Sequence, residues 1–335
     1  MPEFGFPPQP RNHNMSLLIS SLRGRSDQAR VESVTGRFSD VTATQGGRVD
    51  ELMQIEKAIS DISDYSEAII LAEARGTTIQ GSLAQISDIG QRLADTTDLL
   101  RTNGTVQNFE VVSAQAREEF GSIVSALNAQ FAGRSLFAGD GGNGAALLDD
   151  TSIQTLGVPF LEGATSASVA YSTLISQFTG AGLTFDTSVY LGGAGAAPAA
   201  EVAPGERVDY HAKADETPLR TVLANVVALG AAFDLTNAIP GGQRKQIAEL
   251  ASEGLRSDIS QIIGMRGRIG AAEERIANLK ARNTATEASL TITFNNIAGA
   301  DQLNAAIELT ELERQLETAF ATTARMSNLS LVNFL

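Results

Sequence analysis

The chain has 335 residues, of which 43% are hydrophobic, enough for one to three domains with an ample core. Its 25 Lys and Arg against 39 Asp and Glu give a net charge of −14, which argues against a nucleic-acid partner, because phosphate binding requires a basic field. Cysteine is absent, which excludes disulfides, thiolate metal sites and cysteine nucleophiles, and no apolar run reaches the length of a bilayer span.

The first 35 residues divide into a proline-rich start and a helix. Residues 1–14 hold four prolines, so we expect a disordered extension or a misassigned start ahead of Met15. A weak amphipathic pattern over residues 16–35 predicts a helix that ends near Gly36. The apolar run at Leu17–Ile19 is too short for a secretory signal peptide, so export of the chain requires another route.

Two long helices are predicted next. Apolar residues recur at steps of three and four from Leu52 to Leu100, which predicts a helix of about fifty residues, far above the globular mean. Asn103-Gly104 breaks this helix, and the pattern from Phe109 to Gln130 predicts a second helix that runs back. The segment from Gly133 to Gly144 ends it. Helices of this length indicate a rod or a coiled coil.

The middle of the chain, residues 145–240, is richer in Gly, Ala, Ser and Thr and predicts a small α+β domain. Alternating residues predict strands at Ser168–Thr173 and Arg207–Lys213. Thr217 is expected to cap a helix whose first position is Pro218.

The rod pattern returns after residue 242, with apolar residues at steps of three and four from Ile262 to Ile297. A heptad stripe then occupies one side of a last predicted helix, at Ala305, Leu309, Leu312, Leu316, Ala319, Thr323 and Met326.

The pattern as a whole predicts a mainly α fold, in which both chain ends form a long antiparallel helical rod or coiled coil and an inserted small α+β domain projects from it. We expect a terminal coiled-coil stem from residues 15–45 and 295–335. A helical rod domain would comprise residues 46–144 and 241–294, and the inserted outer domain residues 145–240.

Residues with catalytic or ligand-binding chemistry are sparse. The two histidines, His13 and His211, cannot form a metal site or a triad, and His211 is expected on one face of a strand. The glycine-rich segment Gly139–Gly144 lacks the Lys-Ser/Thr of a phosphate loop and is expected to be a flexible connector. We therefore predict no catalytic, cofactor-binding or metal-binding residue, and no cofactor.

Three stretches resemble the flagellin family, and in particular its hook–filament junction members. The segment Ala126–Gly139 is similar to a helix end at which a Gly-Arg pair precedes a Leu-Phe-x-Gly turn. The segment Val202–Leu229 resembles the inserted domain, and Arg325–Leu335 resembles the tail. The residues of the family-motif turn are Gly133, Arg134, Leu136, Phe137 and Gly139.

This resemblance implies a structural subunit of the bacterial flagellum, not an enzyme, that acts as an adaptor between hook and filament. It also implies an extracellular location after type III export. The implied partners are other copies of the chain in a ring or helical zone, the adjoining hook-associated protein and flagellin, and an export chaperone on the C-terminal helix; neither nucleic acid nor membrane is expected.

The apolar stripe permits two interpretations: a helix packed on its own domain, or a helix completed by other copies. Burial of a Leu or Phe side chain contributes about 1.5–3 kcal/mol of stability, so a stripe left in water would lose roughly ten kcal/mol or more. A filament-forming flagellin and a secreted coiled-coil adhesin or translocator remain alternatives for the whole protein.

For the stripe, we predict a self-assembly interface. The predicted interface residues are Leu309, Leu312, Leu316, Phe320, Met326, Leu329, Leu331, Phe334 and Leu335.

Overall fold

The computed structural model describes residues 10–40, 46–103, 105–196, 199–234 and 236–332. Long helices dominate it, which confirms the predicted mainly α class. Contacts group the chain into two compact units: unit 1 runs up to Ser63 and from Asn283 onward, and unit 2 is Asp64–Arg282. The helices are α1 Pro10–Thr35, α2 Val49–Asn103, α3 Val106–Leu127, α4 Asp150–Gly157, α5 Pro159–Glu162, α6 Ala167–Thr179, α7 Thr217–Ala232, α8 Gly241–Ala298 and α9 Gln302–Val332. Antiparallel hairpins pair β1 Gln130–Phe131 with β2 Arg134–Ser135, and β3 Ala200–Ala203 with β4 Glu206–Val208.

Unit 1 is built on an antiparallel pairing of α1 with α9. Leu22 and Ala29 on α1 pack with Leu312 and Ala319 on α9 in one hydrophobic cluster. The end of α1 lies beside the start of α9, where Gln302 contacts Gly36, which has φ +66° and terminates the helix. The predicted pairing of the two chain ends is therefore present within a single chain.

A backbone bridge closes this helix pair. The amide of Phe38 donates to the carbonyl of Ala298 at 3.0 Å, and the amide of Ala300 donates to the carbonyl of Gly36 at 2.9 Å. A second cluster of unit 1 joins the first turns of α2 to the end of α8, through Leu52, Ile55, Ile59, Leu290, Phe294, Ile297 and Ala298.

Within unit 2, α2 and α8 run antiparallel. Lys280 on α8 pairs with Glu73 on α2 at 2.7 Å. Farther along α2, Asp98 forms an ion pair with Arg256 of α8 at 2.6 Å. The partner on α8 therefore has a lower residue number as the position on α2 increases, which confirms the predicted long helices running in opposite directions.

The middle of the chain shares the hydrophobic core of unit 2. Buried residues from Ala146 to Ile239 belong to the same cluster as those of α2, α3 and α8. Helix α7 is buried along most of its length. The hydroxyl of Ser113 on α3 binds the C-terminal end of α7. It donates to the carbonyl of Leu229 at 2.6 Å and accepts from the amide of Phe233 at 3.1 Å. Residues 145–240 therefore belong to unit 2 and share its core.

Three local predictions were wrong. Ser168–Thr173, predicted as a strand, lies in α6, because Ala167, Ala170, Leu174 and Phe178 recur at helical spacing and form its buried side. The predicted strand Arg207–Lys213 ends at Val208, so His211 lies beyond β4. Thr217 lies inside α7, and the N-cap position is held by Glu216.

The start of α1 also differs from the prediction. The helix begins at Pro10, five residues before Met15, inside the range expected to be an extension. Proline is compatible with the first helical position, because the amide it lacks has no partner there in any helix.

The glycine-rich segment is a packed element, not a flexible connector. Residues Gly139–Gly141 form a 3-10 turn, and the carboxylate of Asp140 accepts from the amide of Gly195 at 3.0 Å. A Cβ on Gly139 would stand 2.5 Å from the carbonyl oxygen of Gly195. Two glycine-rich backbones thus lie in direct contact, which side chains at these positions would prevent.

Candidate assembly site

The predicted stripe on α9 lies against α1 of the same chain. Leu312 is 2% exposed, and Leu309 and Leu316 pack partly buried against the same cluster. Ile19 of α1 is also partly buried against this cluster. These three leucines therefore have a cover within one copy, as the first of the two interpretations requires.

Other apolar side chains of the helix pair stay exposed. On α9, Leu303 is 71% exposed, Ile307 60% and Phe320 43%. On α1, Leu17 and Val34 are 56% and 75% exposed. Such side chains are the part of this pair that a second protein surface can cover.

The structure describes the backbone of some of the remaining predicted interface residues but none of their side chains. Met326, Leu329 and Leu331 fall within the range of α9, but their side chains lie outside the described part of the chain. Phe334 and Leu335 lie outside the described residues altogether.

Opposite charges line the two helices. Arg25 on α1 pairs with Glu308 on α9 at 2.7 Å, and Arg30 pairs with Glu313 at 3.6 Å. The guanidinium of Arg23 lies 5.1 Å from the ring centre of Phe320, a cation–π contact. Exposed ion pairs add only about 0–1 kcal/mol each, so their main effect is on the choice of partner and its register.

A local pair on α9 keeps one of its carboxylates ionised. Hydrogen bonds from Arg314, at 3.0 and 2.8 Å, and from Gln315 lower the pKa of Glu311 to about 2. The outward side of α9 therefore carries fixed charge over the whole physiological pH range.

The family-motif turn belongs to unit 2 and is a tight hairpin between β1 and β2. Ala132 and Gly133 at its tip have φ +51° and +76°, the left-handed region that favours glycine. Leu136 and Phe137 after it are buried in the core, whereas Arg134 is exposed. The motif thus anchors the end of the hairpin in the core and presents a cation on its surface.

Sequence reasoning predicted that the chain ends pair but named no interface residue on α1. The signal was present in the helical spacing of Leu22, Ser26 and Ala29, all buried, and in the arginines that pair with glutamates of α9. Among the described residues, no cluster of His, Cys, Asp and Glu is suited to hold a metal ion. In the described helices, none has the length and apolar character that crossing a bilayer requires.

No protein-family model matches the sequence, and no curated protein matches it. Among solved structures, the chain is similar to a candidate flagellar hook-associated protein from Vibrio parahaemolyticus, with a TM-score of 0.52 and 14% sequence identity. The match covers 73% of this chain and 95% of the other. At this identity the likeness is one of fold.

Proposed function

We propose that this chain is a structural subunit of the bacterial flagellum that acts as an adaptor at the hook–filament junction. The fold likeness to a candidate flagellar hook-associated protein supports a flagellar role. The turn at Gly133–Gly139, which resembles that of junction proteins, supports the finer assignment. In this role the chain is mechanical and uses no catalytic residue, cofactor or metal.

One observation carries the proposal: the two end regions of the chain form an antiparallel helix pair that retains exposed apolar side chains. Leu309, Leu312 and Leu316 hold α1 to α9 inside one copy. The exposed residues Leu303, Ile307 and Phe320 then contact neighbouring copies and the adjoining hook-associated protein and flagellin. Copies related by a helical operator meet through unlike surfaces, which generates a ring or a helical zone.

The proposal includes the route to the assembly site. The chain leaves the cell through the flagellar type III apparatus, with a chaperone on the C-terminal helix until export. Such a chaperone would cover the same exposed apolar residues of α9 and so prevent polymerisation in the cytoplasm. The protein then functions outside the cell, in the flagellum.

Immunogold labelling of detached flagella tests the location. We expect signal at one short zone between hook and filament. Label along the whole filament would favour a filament flagellin, and absence of label from flagella would favour a secreted adhesin or translocator. Either of these results overturns the junction assignment.

A pair of variants tests the contact surface. Phe320→Asp removes the exposed ring but leaves a partner for Arg23, so we expect a folded chain whose occupancy of the junction falls about tenfold or more, as expected for the loss of a contact residue at the centre of an interface. Ala321→Asp, on the neighbouring exposed position, adds the same charge without removing a large apolar group. Equal occupancy of the two variants would show that Phe320 is not a contact residue.

A further inference from the structure

A small cavity in unit 2 collects positively charged and polar groups from segments far apart in sequence. Its volume is about 30 Å³. Arg75 from α2 lines it, together with Arg134 and Ser135 from β2 and His211 from the segment after β4. Ile79 and Leu136 supply apolar walls. No part of the proposed assembly mechanism uses this cavity.

Two polar atoms of the cavity lining lack hydrogen-bond partners. Ser135 Oγ and His211 Nδ1 are buried and have no hydrogen-bond partner within the described chain. Buried polar atoms are nearly always paired in native proteins, so two such atoms beside one cavity indicate that a guest satisfies them. Within the described residues, neither Arg75 nor Arg134 makes an ion pair. No Asp or Glu is among the described residues that line the cavity.

We propose that this cavity binds one small anion. Two guanidinium groups, the Ser135 hydroxyl and a His211 tautomer with its proton on Nδ1 can all donate to one guest, an arrangement that stabilises negative charge. Tyr210 also lines the cavity. A water molecule would satisfy Ser135 and His211 but would leave the partly buried guanidinium of Arg75 without a counter-charge.

The consequence is structural. An ion in this position would join α2, the family-motif turn and the segment after β4, three parts of unit 2 that no covalent cross-link connects. Any ligand that binds the folded chain and not the unfolded one raises its stability by mass action. Unit 2 would therefore be more stable in chloride than in a salt whose anion is too large to enter.

Bromide is the probe that locates the ion. We expect crystals of the full chain soaked in sodium bromide to show an anomalous diffraction peak in the cavity, within contact distance of Ser135 Oγ and His211 Nδ1. Ordered water at that position without anomalous signal would overturn the proposal.

Thermal unfolding tests whether the ion matters in solution. At constant ionic strength, the wild-type Tm is expected to be higher in chloride than in gluconate, and Arg134→Gln is expected to abolish the difference. Because Arg134 is exposed, the Arg134→Gln variant should fold. Arg75→Gln is a second variant of the site. The control is Arg101→Gln, which replaces an exposed arginine on α2, the helix that also carries Arg75, and it should retain the wild-type response. A bromide peak without a chloride-dependent Tm would mean binding at crystal concentration only and would refute a role in solution. An equal chloride response of Arg134→Gln and wild type would also refute the site.

Discussion

At the scale of single residues, a buried carboxylate stands out in unit 2. Asp258 on α8 is 4% exposed. Its Oδ1 accepts from Thr221 Oγ1 at 2.7 Å and its Oδ2 from Asn225 Nδ2 at 2.7 Å, while Asn225 Oδ1 accepts from the hydroxyl of Tyr171 at 2.8 Å. No cation pairs with Asp258 among the described residues. Burial raises its pKa to about 6, although both hydrogen bonds act in the opposite direction.

A raised pKa in the folded state makes this site stabilising in acid and destabilising above pH 6. The folded chain keeps the proton that the unfolded chain loses at its ordinary, lower pKa, so the contribution is complete below that lower value and is lost as pH rises through about 6. The loss amounts to about 2–3 kcal/mol. We therefore expect Asp258→Asn, which removes the charge but keeps a polar group, to gain stability relative to wild type as the pH rises from about 4 to about 6, and to keep that gain at higher pH.

Denaturant unfolding of both proteins at several pH values measures this difference. Asp61→Asn on α2, whose carboxylate is partly exposed and paired with Lys57 at 2.7 Å, is a control that should not show the same gain. A difference between Asp258→Asn and wild type that does not change with pH would exclude the buried carboxylate as the source.

At the scale of elements, the pairing of α1 with α9 depends on a narrow apolar seam. Helices of this length are marginal alone in water, and most helical stability comes from packing of an apolar face. In the described part of the pair, the seam rests on Leu22, Ala29, Leu312 and Ala319, with partly buried neighbours beside them. Removal of one large member should therefore affect both helices.

Leu312→Ala is expected to destabilise the helix pair by about 2–5 kcal/mol, the usual cost of truncating a buried leucine. Amide hydrogen exchange should then become faster in α1 as well as in α9. The matched control is Ile307→Ala on the same helix, because Ile307 is 60% exposed and its truncation removes little buried area. Faster exchange confined to α9 would mean that Leu312 does not hold α1.

The long helices could be predicted from sequence because their apolar spacing continues over many turns, as from Leu52 to Leu100 on α2 and from Ile262 to Ile297 on α8. The terminal stripe could also be predicted, but whether the same copy or another copy covers it could not, because spacing shows that a face is buried and not what buries it. The short elements failed for a different reason: the alternation of Ser168–Thr173 suits a strand and a helix alike, and tertiary packing decided for α6. The contact between Gly139 and Gly195 joins residues 56 apart and left no local pattern.

At the scale of the whole molecule, the two units differ greatly in core size. Unit 2 has one continuous cluster of buried residues that extends from Ile69 to Leu279. Within the described residues, unit 1 relies on two small clusters with four buried members each. Hydrophobic stabilisation follows the apolar area removed from water, so unit 1 should be the less stable of the two.

Native-state hydrogen exchange with added denaturant tests this inequality. We expect amides of α1 and α9 in the free chain to exchange through an opening of lower free energy than amides of α3 and α7, whose exchange should require unfolding of unit 2. Assembly should raise the protection of α1 and α9 selectively. One common free energy for all four helices in the free chain would contradict the prediction.

The division into units also decides what an optical experiment detects. The chain has no tryptophan, and its four tyrosines, Tyr65, Tyr171, Tyr190 and Tyr210, all fall in unit 2. Intrinsic fluorescence therefore reports on unit 2 alone, whereas far-ultraviolet circular dichroism sums the helices of both units. Unfolding curves from the two methods should not coincide, and a Phe320→Trp substitution would give unit 1 an emission of its own, at a residue proposed to contact the next copy.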